Sequence, residues 1–414
     1  MKNIILFDPE HRDRLLPLVY TRPVSELRVG ILTISDKWAC MMDGKVSYIT
    51  QEYLNDTYPI AIETINYIIN GSILPNADLC ARIENLQDNQ AILKNGDFVA
   101  ARINQKELYR LVEENDTKEI DGFEMPDVAF DEIKNVWDII TLNEKALRSD
   151  FELITQGRIS APLNNSNRVS GDLKNIFLEP GAIVNHAILN AESGPIYIGK
   201  GAEVMEGCVI RGAFSLGTKS VLKMGAKVYG TTSIGPGSKM GGEIKSVVVW
   251  GNSNKAHDGF LGDSVIGEWC NFGADSNTSN LKNNYDNVKL WDYTAQAMIK
   301  TDMQFLGLIM GDHSKCGINT MFNTGTVVGV SCNIFGNGYP PNFVPSFSWG
   351  GKDGLETYDF YKACETINRV FERRNKALSA TDGAILKYIF NYSAKFRDWE
   401  YNSKESGARY QVSR

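Results

Sequence analysis

Several features are scarce or missing in this sequence of 414 residues. No run approaches the roughly 18 apolar residues that a membrane-spanning helix needs, so no membrane span is expected. The opening MKNIILFDPEHRD has only four apolar residues in a row and no small-residue cleavage site, which argues against a signal peptide. Histidine is rare, with 4 residues scattered along the chain, so a multi-histidine metal site is not expected and no metal ligand is assigned. The 7 cysteines form an odd set without a CxxC pair or zinc-like spacing. They read as reduced thiols of a cytoplasmic protein. An excess of positive charge is also missing: 43 Lys and Arg against 50 Asp and Glu leave a net charge of −7. That is the opposite of the basic balance expected for a nucleic-acid partner.

What is present divides the chain. A hydrophobic fraction of 43% supports sizeable cores, and the length suggests two or three domains at roughly 150 residues each. Residues 1–150 contain 5 of the 37 glycines and the rest contain 32, so a glycine-poor front precedes a glycine-rich β segment. In the front, Lys2–Phe7 reads as a buried strand and Glu63–Ile69 as a second, with ambiguous period. Ala91–Lys94 and Phe98–Ala101 flank Asn95-Gly96-Asp97 and read as a hairpin, because Asn-Gly accepts positive φ. Glu107–Glu114 and Asn143–Phe151 read as helices. The front is therefore expected to be α/β.

The middle carries a repeat. Ile198, Val204, Ile210, Leu216, Leu222, Val228, Ile234 and Met240 stand six apart without a break. Further runs are Phe260, Ile266, Phe272 and Met310, Cys316, Phe322, Val328, Ile334. A helix cannot keep one face on a period of six, and strand alternation would not skip two apolar places in three. A coil of short strands, three per turn of about 18 residues, places every sixth residue inside a triangular prism. A glycine-rich sandwich showing this spacing by chance is the weaker alternative. The segment between Asn280 and Leu308 is off-period and reads as a loop projecting from the coil. Near the end, Glu356–Leu378 has helical periodicity through Phe360, Cys364, Ile367 and Phe371. Ser379 or Thr381 would cap a second helix, Ala384–Trp399. Arg369–Arg414 holds 10 basic and 5 acidic residues, a basic tail on an acidic chain.

Asn254–Lys282 reads NKAHDGFLGDSVIGEWCNFGADSNTSNLK. Its K-A-H, L-G-D, I-G and N-x-G-A, with a later Asn, resemble the acetyltransferase half of the bifunctional N-acetylglucosamine-1-phosphate uridyltransferase/glucosamine-1-phosphate N-acetyltransferase family. Arg14-Leu15-Leu16-Pro17-Leu18 with Thr21-Arg22-Pro23 resembles the end of the phosphate loop in sugar nucleotidyltransferases. Val136-Trp137-Asp138-Ile139 with Asn143 resembles that family's terminal helix entry. The resemblance implies a shortened nucleotidyltransferase-like (Rossmann-like) domain over 1–155. It then implies a left-handed parallel β-helix over 156–345, with an insertion at about 280–308, and a helical segment over 346–414. It also implies a homotrimer with sites between subunits. The front departs from its family: Glu10 and Arg12 replace the loop glycines, Val24 replaces a lysine, and Gly71-Ser72 lacks the expected Mg²⁺ carboxylate. Glycines there would let backbone N–H groups approach phosphates, so weak or absent nucleotidyl transfer is expected.

The resemblance assigns roles. His257 would be the general base for acetyl transfer, a task suited to a near-neutral pKa; the alternative is a corner histidine held by backbone. Lys223, Lys245 and Lys282 would gather a substrate phosphate, against ordinary solvated lysines. Phe260 would face the sugar without a tyrosine's hydroxyl, or fill the core, since it falls on the six-residue register. Asn271 and Asn280 match amides that place sugar and acetyl donor, or else satisfy local backbone. Ala274, Ile318 and Gly336 match the path of the donor's pantetheine arm. Arg14 and Arg22 are the weak nucleotide contacts. The basic tail would hold coenzyme A phosphates or simply face solvent. The implied function is acetyl-CoA-dependent N-acetyl transfer to an amino-sugar phosphate or nucleotide sugar, in nucleotide-sugar and cell-envelope polysaccharide metabolism. The alternatives are a sugar-1-phosphate nucleotidyltransferase, with Mg²⁺ only if the front domain is active, and a non-catalytic nucleotide-sugar-binding trimer.

Overall fold

The computed structural model describes residues 1–114 and 119–400. The front forms a six-stranded sheet in the order Gly44–Ile49, Lys2–Phe7, Ile65–Asn70, Asp97–Asn104, Gln90–Lys94, Asp121–Glu124. Its first three strands are parallel. KNIILF is buried through its middle four residues, as a continuous apolar run in a covered parallel sheet should be. The expected hairpin forms, with Asn95 and Gly96 at φ 53° and 83°. The stretch expected as helix at Glu107–Glu114 is a short α-helix, Gln105–Tyr109, continued by a π-helical turn. Asn143–Phe151 lies inside a longer helix, Asp138–Thr155.

The glycine-rich middle is a three-faced parallel coil. Strands of successive turns pair in parallel along each face, for example Ile196–Ile198 on Phe214–Leu216 and Glu203–Val204 on Val221–Leu222. All eight residues from Ile198 to Met240 on the six-step register point inward and are buried. After Met240 the step shortens. Ile244 pairs above Val228 and Val249 above Ile234, so the step from Met240 to Ile244 is four residues and that from Ile244 to Val249 five, rather than six. Ser246 and, one turn later, Asp263 make these tight corners with positive φ of 52° and 44°. The shift corrects one expectation. Leu261, not Phe260, is the inward residue above Ile244, and Phe260 turns outward. Ile266, Phe272 and the run Met310 to Ile334 are inward as expected.

One inward place is occupied by a lysine. Lys255 sits above Met240 at 2% exposure. Its ammonium donates to the carbonyls of Gly241, His257 and Gly259 at 3.1, 3.0 and 2.6 Å. These bonds satisfy a buried cation without a carboxylate. Burial still lowers its pKa to about 8.

The insertion expected as a projecting loop is a hairpin, Lys289–Asp292 on Ala297–Lys300, folded back onto the molecule. Trp291 stacks on Phe343 at 4.1 Å, and Tyr293 meets Tyr20 and Phe396 edge to face. The first terminal helix is Phe360–Glu372, shorter than expected because Asp359 caps it and Gly354–Thr357 is a strand. Ser379 caps the second, Ala380–Ser393, with its side chain accepting from the Asp382 N–H. The part of the basic tail beyond residue 400 lies outside the described residues. No helix among the described residues is long and apolar enough to cross a membrane.

Front sheet, coil flank and terminal helices share one hydrophobic core, separate from the core inside the prism. Polar bolts cross the junction. Arg22, 6% exposed, pairs with Asp312, which also accepts from the Thr21 hydroxyl at 2.6 Å. Arg28 Nε donates to the Trp250 carbonyl, and Trp250 Nε1 donates to the Glu26 carbonyl, both at 3.2 Å. Asn143 donates to the Thr231 carbonyl and accepts from Ser233 Oγ.

Two outcomes follow from these burials. Arg22→Ala leaves Asp312 buried beside Glu268 without its cation, so denaturant unfolding should show a loss of about 3–5 kcal/mol. Lys255 binds protons less readily folded than unfolded, so its contribution to stability rises as pH climbs from about 8 toward the ordinary lysine value. Unfolding free energies of the wild type and Lys255→Met, compared at pH 7 and pH 10.5, should diverge in favour of the wild type by about 3 kcal/mol. A difference independent of pH would contradict that reading.

Candidate functional site

A single corner of the coil collects the residues of greatest interest. Lys255, Phe272, Cys316 and Ile334 stack as inward residues of one face. His257, Ala274, Ile318 and Gly336 each stand two positions further on, so they form a row along the following corner. Backbone bonds tie that row together: the Asp275 N–H donates to the Asp258 carbonyl at 3.1 Å, and the Asn319 N–H to the Ala274 carbonyl at 2.8 Å. At about 4.8 Å per strand spacing the row extends roughly 14 Å. His257 is exposed, and its carbonyl is held from inside by Lys255. Ile318 is 71% exposed, and Gly336 takes φ 109° with open space beside its Cα. Lys223 is half-buried on the same corner, with its Cβ against Gly241.

A second group lies on the adjoining face. Lys245 donates to Asp263 at 3.0 Å and lies over the Phe305 ring at 4.4 Å. Asn280 Nδ2 donates to the same Asp263 carboxylate at 2.5 Å. The Phe260 ring borders Gly262, where a Cβ would also meet the Asn280 amide. Lys245, Asp263, Asn280, Phe260 and Phe305 thus make one cluster. Its aspartate, inside the quoted L-G-D motif, escaped the sequence reading. It matters because its charge already pairs with Lys245.

Other expected members are elsewhere. Lys282 donates to the Asn287 carbonyl in its own loop at 2.8 Å, so Lys223, Lys245 and Lys282 have separate surroundings rather than one shared partner. Asn271 lies on the outward side of the first face, one residue before the inward Phe272, where it accepts from Asn254 at 2.8 Å. Arg22 is paired with Asp312 and lines a cavity of about 360 Å³ at the junction of the front domain and the coil. Arg14 is exposed at the end of the short helical turn Glu10–Leu15.

That turn is where a phosphate loop was considered. Asp8 is buried and accepts from Arg12, the Thr50 hydroxyl and the Val24 N–H. Burial raises its pKa against the opposing pull of Arg12. Arg12 also donates to the Val19 carbonyl and the Tyr53 hydroxyl. The segment is closed by its own side chains. At Gly71-Ser72 a carboxylate does approach: Ser72 Oγ donates to Glu132 at 3.0 Å. Among the described residues no group of three His, Cys, Asp or Glu gathers to hold a metal ion.

With this geometry in hand, likeness to known proteins becomes informative. Residues 4–159 match the family model described as Sugar nucleotidyl transferase. The Bifunctional protein GlmU of Methanocaldococcus jannaschii is 37% identical over 92 residues, 22% of this chain and 22% of its own length. The Bifunctional protein GlmU of Sorangium cellulosum is 27% identical over 226 residues, 47% of this chain and 44% of its own. The Uncharacterized acetyltransferase YaiX of Escherichia coli is 26% identical over 172 residues, 41% of this chain and 72% of its own. The chain thus spans about a fifth of the first GlmU relatives and under half of the longer match. By these matches the chain resembles sugar nucleotidyl transferases over residues 4–159 and GlmU proteins over part of its length, with a parallel hexapeptide coil following the first match in the same polypeptide.

Proposed function

We propose that this chain is an acetyl-CoA-dependent N-acetyltransferase acting on an amino-sugar phosphate or a nucleotide sugar. The observation that carries the reading is the corner row. An exposed histidine stands at one end, and Ala274, Ile318 and Gly336 continue from it in line. An extended thioester arm laid along that row would bring its carbonyl to His257. His257 would take a proton from the amine as nitrogen bonds to the carbonyl carbon; as the carbon–sulfur bond breaks, the departing sulfur would take that proton back from His257 and leave as the thiol. The cluster of Lys245, Asp263, Asn280 and Phe260 would hold the sugar end. The relatives named GlmU and an acetyltransferase support this reading. A homotrimer, pairing this corner with a neighbouring copy, belongs to the same proposal.

A second reading, nucleotidyl transfer by the front domain, is favoured by the family match over 4–159. The residues speak against it. Mg²⁺ would be expected near Gly71-Ser72, but Glu132 is the one carboxylate bonded there and Asp8 is committed to Arg12, Thr50 and Val24. This donor set does not fit a catalytic magnesium. Incubation with a nucleoside triphosphate and a sugar-1-phosphate should therefore release little pyrophosphate. Robust release would promote this second reading over the first.

The acetyltransferase reading is tested by a paired measurement on His257→Ala. Turnover should fall by ~10²–10⁴, the usual worth of general acid–base assistance. Coenzyme A affinity should change little, because the rest of the corner row is intact. Unchanged turnover would return His257 to a structural role and remove the centre of the proposal.

A further inference from the structure

A groove of about 360 Å³ lies between the outward side of the face that carries Lys255 and Phe272 and the end of the helix Phe360–Glu372. Its floor is a row of register neighbours, Lys239, Asn254, Asn271 and Lys315. Its wall carries Arg373 and Arg374, the two residues that follow the helix. The groove thus presents four cations on a chain of net charge −7, and no carboxylate lines it.

Among the described residues none of these cations has a carboxylate partner. Arg374 donates to the Gly237 carbonyl at 2.8 Å, which fixes the wall close to Lys239. Lys315 has the His313 carbonyl, at 2.8 Å, as its bonded neighbour. Burial pushes the Lys315 ammonium pKa down, so an anion near it would restore the charged form. Lys239 and Arg373 are exposed and carry no ion pair. Elsewhere the chain commonly matches its cations with carboxylates, as at Lys245–Asp263, Arg82–Asp127 and Lys37–Asp150. Four cations in one groove without such a match leave a place for an anion from outside.

The spacing describes that anion. Arg374, tied to the Gly237 carbonyl, stands at the Lys239 end with Arg373 next to it in the chain, and Lys315 lies three floor positions away, roughly 14 Å at the usual strand spacing. Between them the floor is amide, with Asn254 donating to Asn271. One phosphate would be too short to use both ends. The geometry points to a binding site for a diphosphate-bearing small molecule, with its diphosphate at Lys239, Arg373 and Arg374 and its uncharged polar part along Asn254 and Asn271. A nucleoside diphosphate sugar and coenzyme A both carry this group. Guanidinium forks suit its oxygens through paired, charge-assisted hydrogen bonds. Asn271, expected to serve the substrate, falls in this groove rather than beside Lys245.

The proposal does not depend on the reading of His257, because the Lys239 and Arg373 variants test the groove alone. Isothermal titration of the full chain would use inorganic pyrophosphate, uridine diphosphate N-acetylglucosamine and coenzyme A as probes. At least one should bind, with affinity falling as salt rises. The double variant Lys239→Ala/Arg373→Ala should weaken that probe at least tenfold with an unchanged melting midpoint, since both side chains are exposed. Arg373→Gln alone, the milder change, should weaken it in the same direction and serves if the double variant misfolds. Whichever probe binds tells a nucleotide sugar from coenzyme A. No binding by any probe, or equal binding by wild type and the Arg373 variants, would overturn the proposal.

Discussion

The requirement that each coil turn put one apolar side chain inward on each face governs most of this molecule. Burying that row removes apolar surface from water, the main favourable term in folding. It also fixes where every other residue of the turn must point. Once Phe272, Cys316 and Ile334 are inward, Ala274, Ile318 and Gly336 must fall in line on the next corner. The candidate site is thus a by-product of the packing rule. Its residues are far apart in sequence because each comes from a different turn.

Legibility followed that rule. The six-residue spacing from Ile198 to Met240 was open in the sequence, and every member is buried. It failed at Phe260, because a five-residue corner is invisible to a fixed period and moves Leu261 inward instead. The hairpin at Asn95-Gly96 and the cap at Ser379 were legible because their signals are local backbone chemistry. Arg22 was not. Its Thr-Arg-Pro setting resembled a phosphate loop, and nothing nearby in sequence announced a partner 290 residues away.

The same limit applies to the sites. His257, Ala274, Ile318 and Gly336 were named from a resemblance, and their alignment along one corner is a structural observation. Asp263 and the cationic groove went unseen. The first stood in a quoted motif without a role, and the second joins coil residues to the end of a terminal helix. Lys255 was hidden for a different reason. A lysine inside a prism contradicts the hydrophobic pattern, and only its three carbonyl partners make it tolerable.

The junction changes what kind of object the coil is. Stacked repeats that touch only their neighbours behave as a one-dimensional chain, able to fray from either end. Here the bolts are spread along the coil, from the strand Thr232–Ile234 to the turn of Ser346, so several of the turns they reach do not touch each other. Asn143 holds Thr231 and Ser233, Arg28 holds Trp250, Arg22 holds Asp312, and Arg397 holds the Ser346 carbonyl. The front sheet and terminal helices therefore act as a splint along one flank. A turn in the middle cannot loosen without straining contacts several turns away. The whole coil inherits long-range cooperativity, and the corner that carries His257 is kept in line by bolts set into turns on either side of its own.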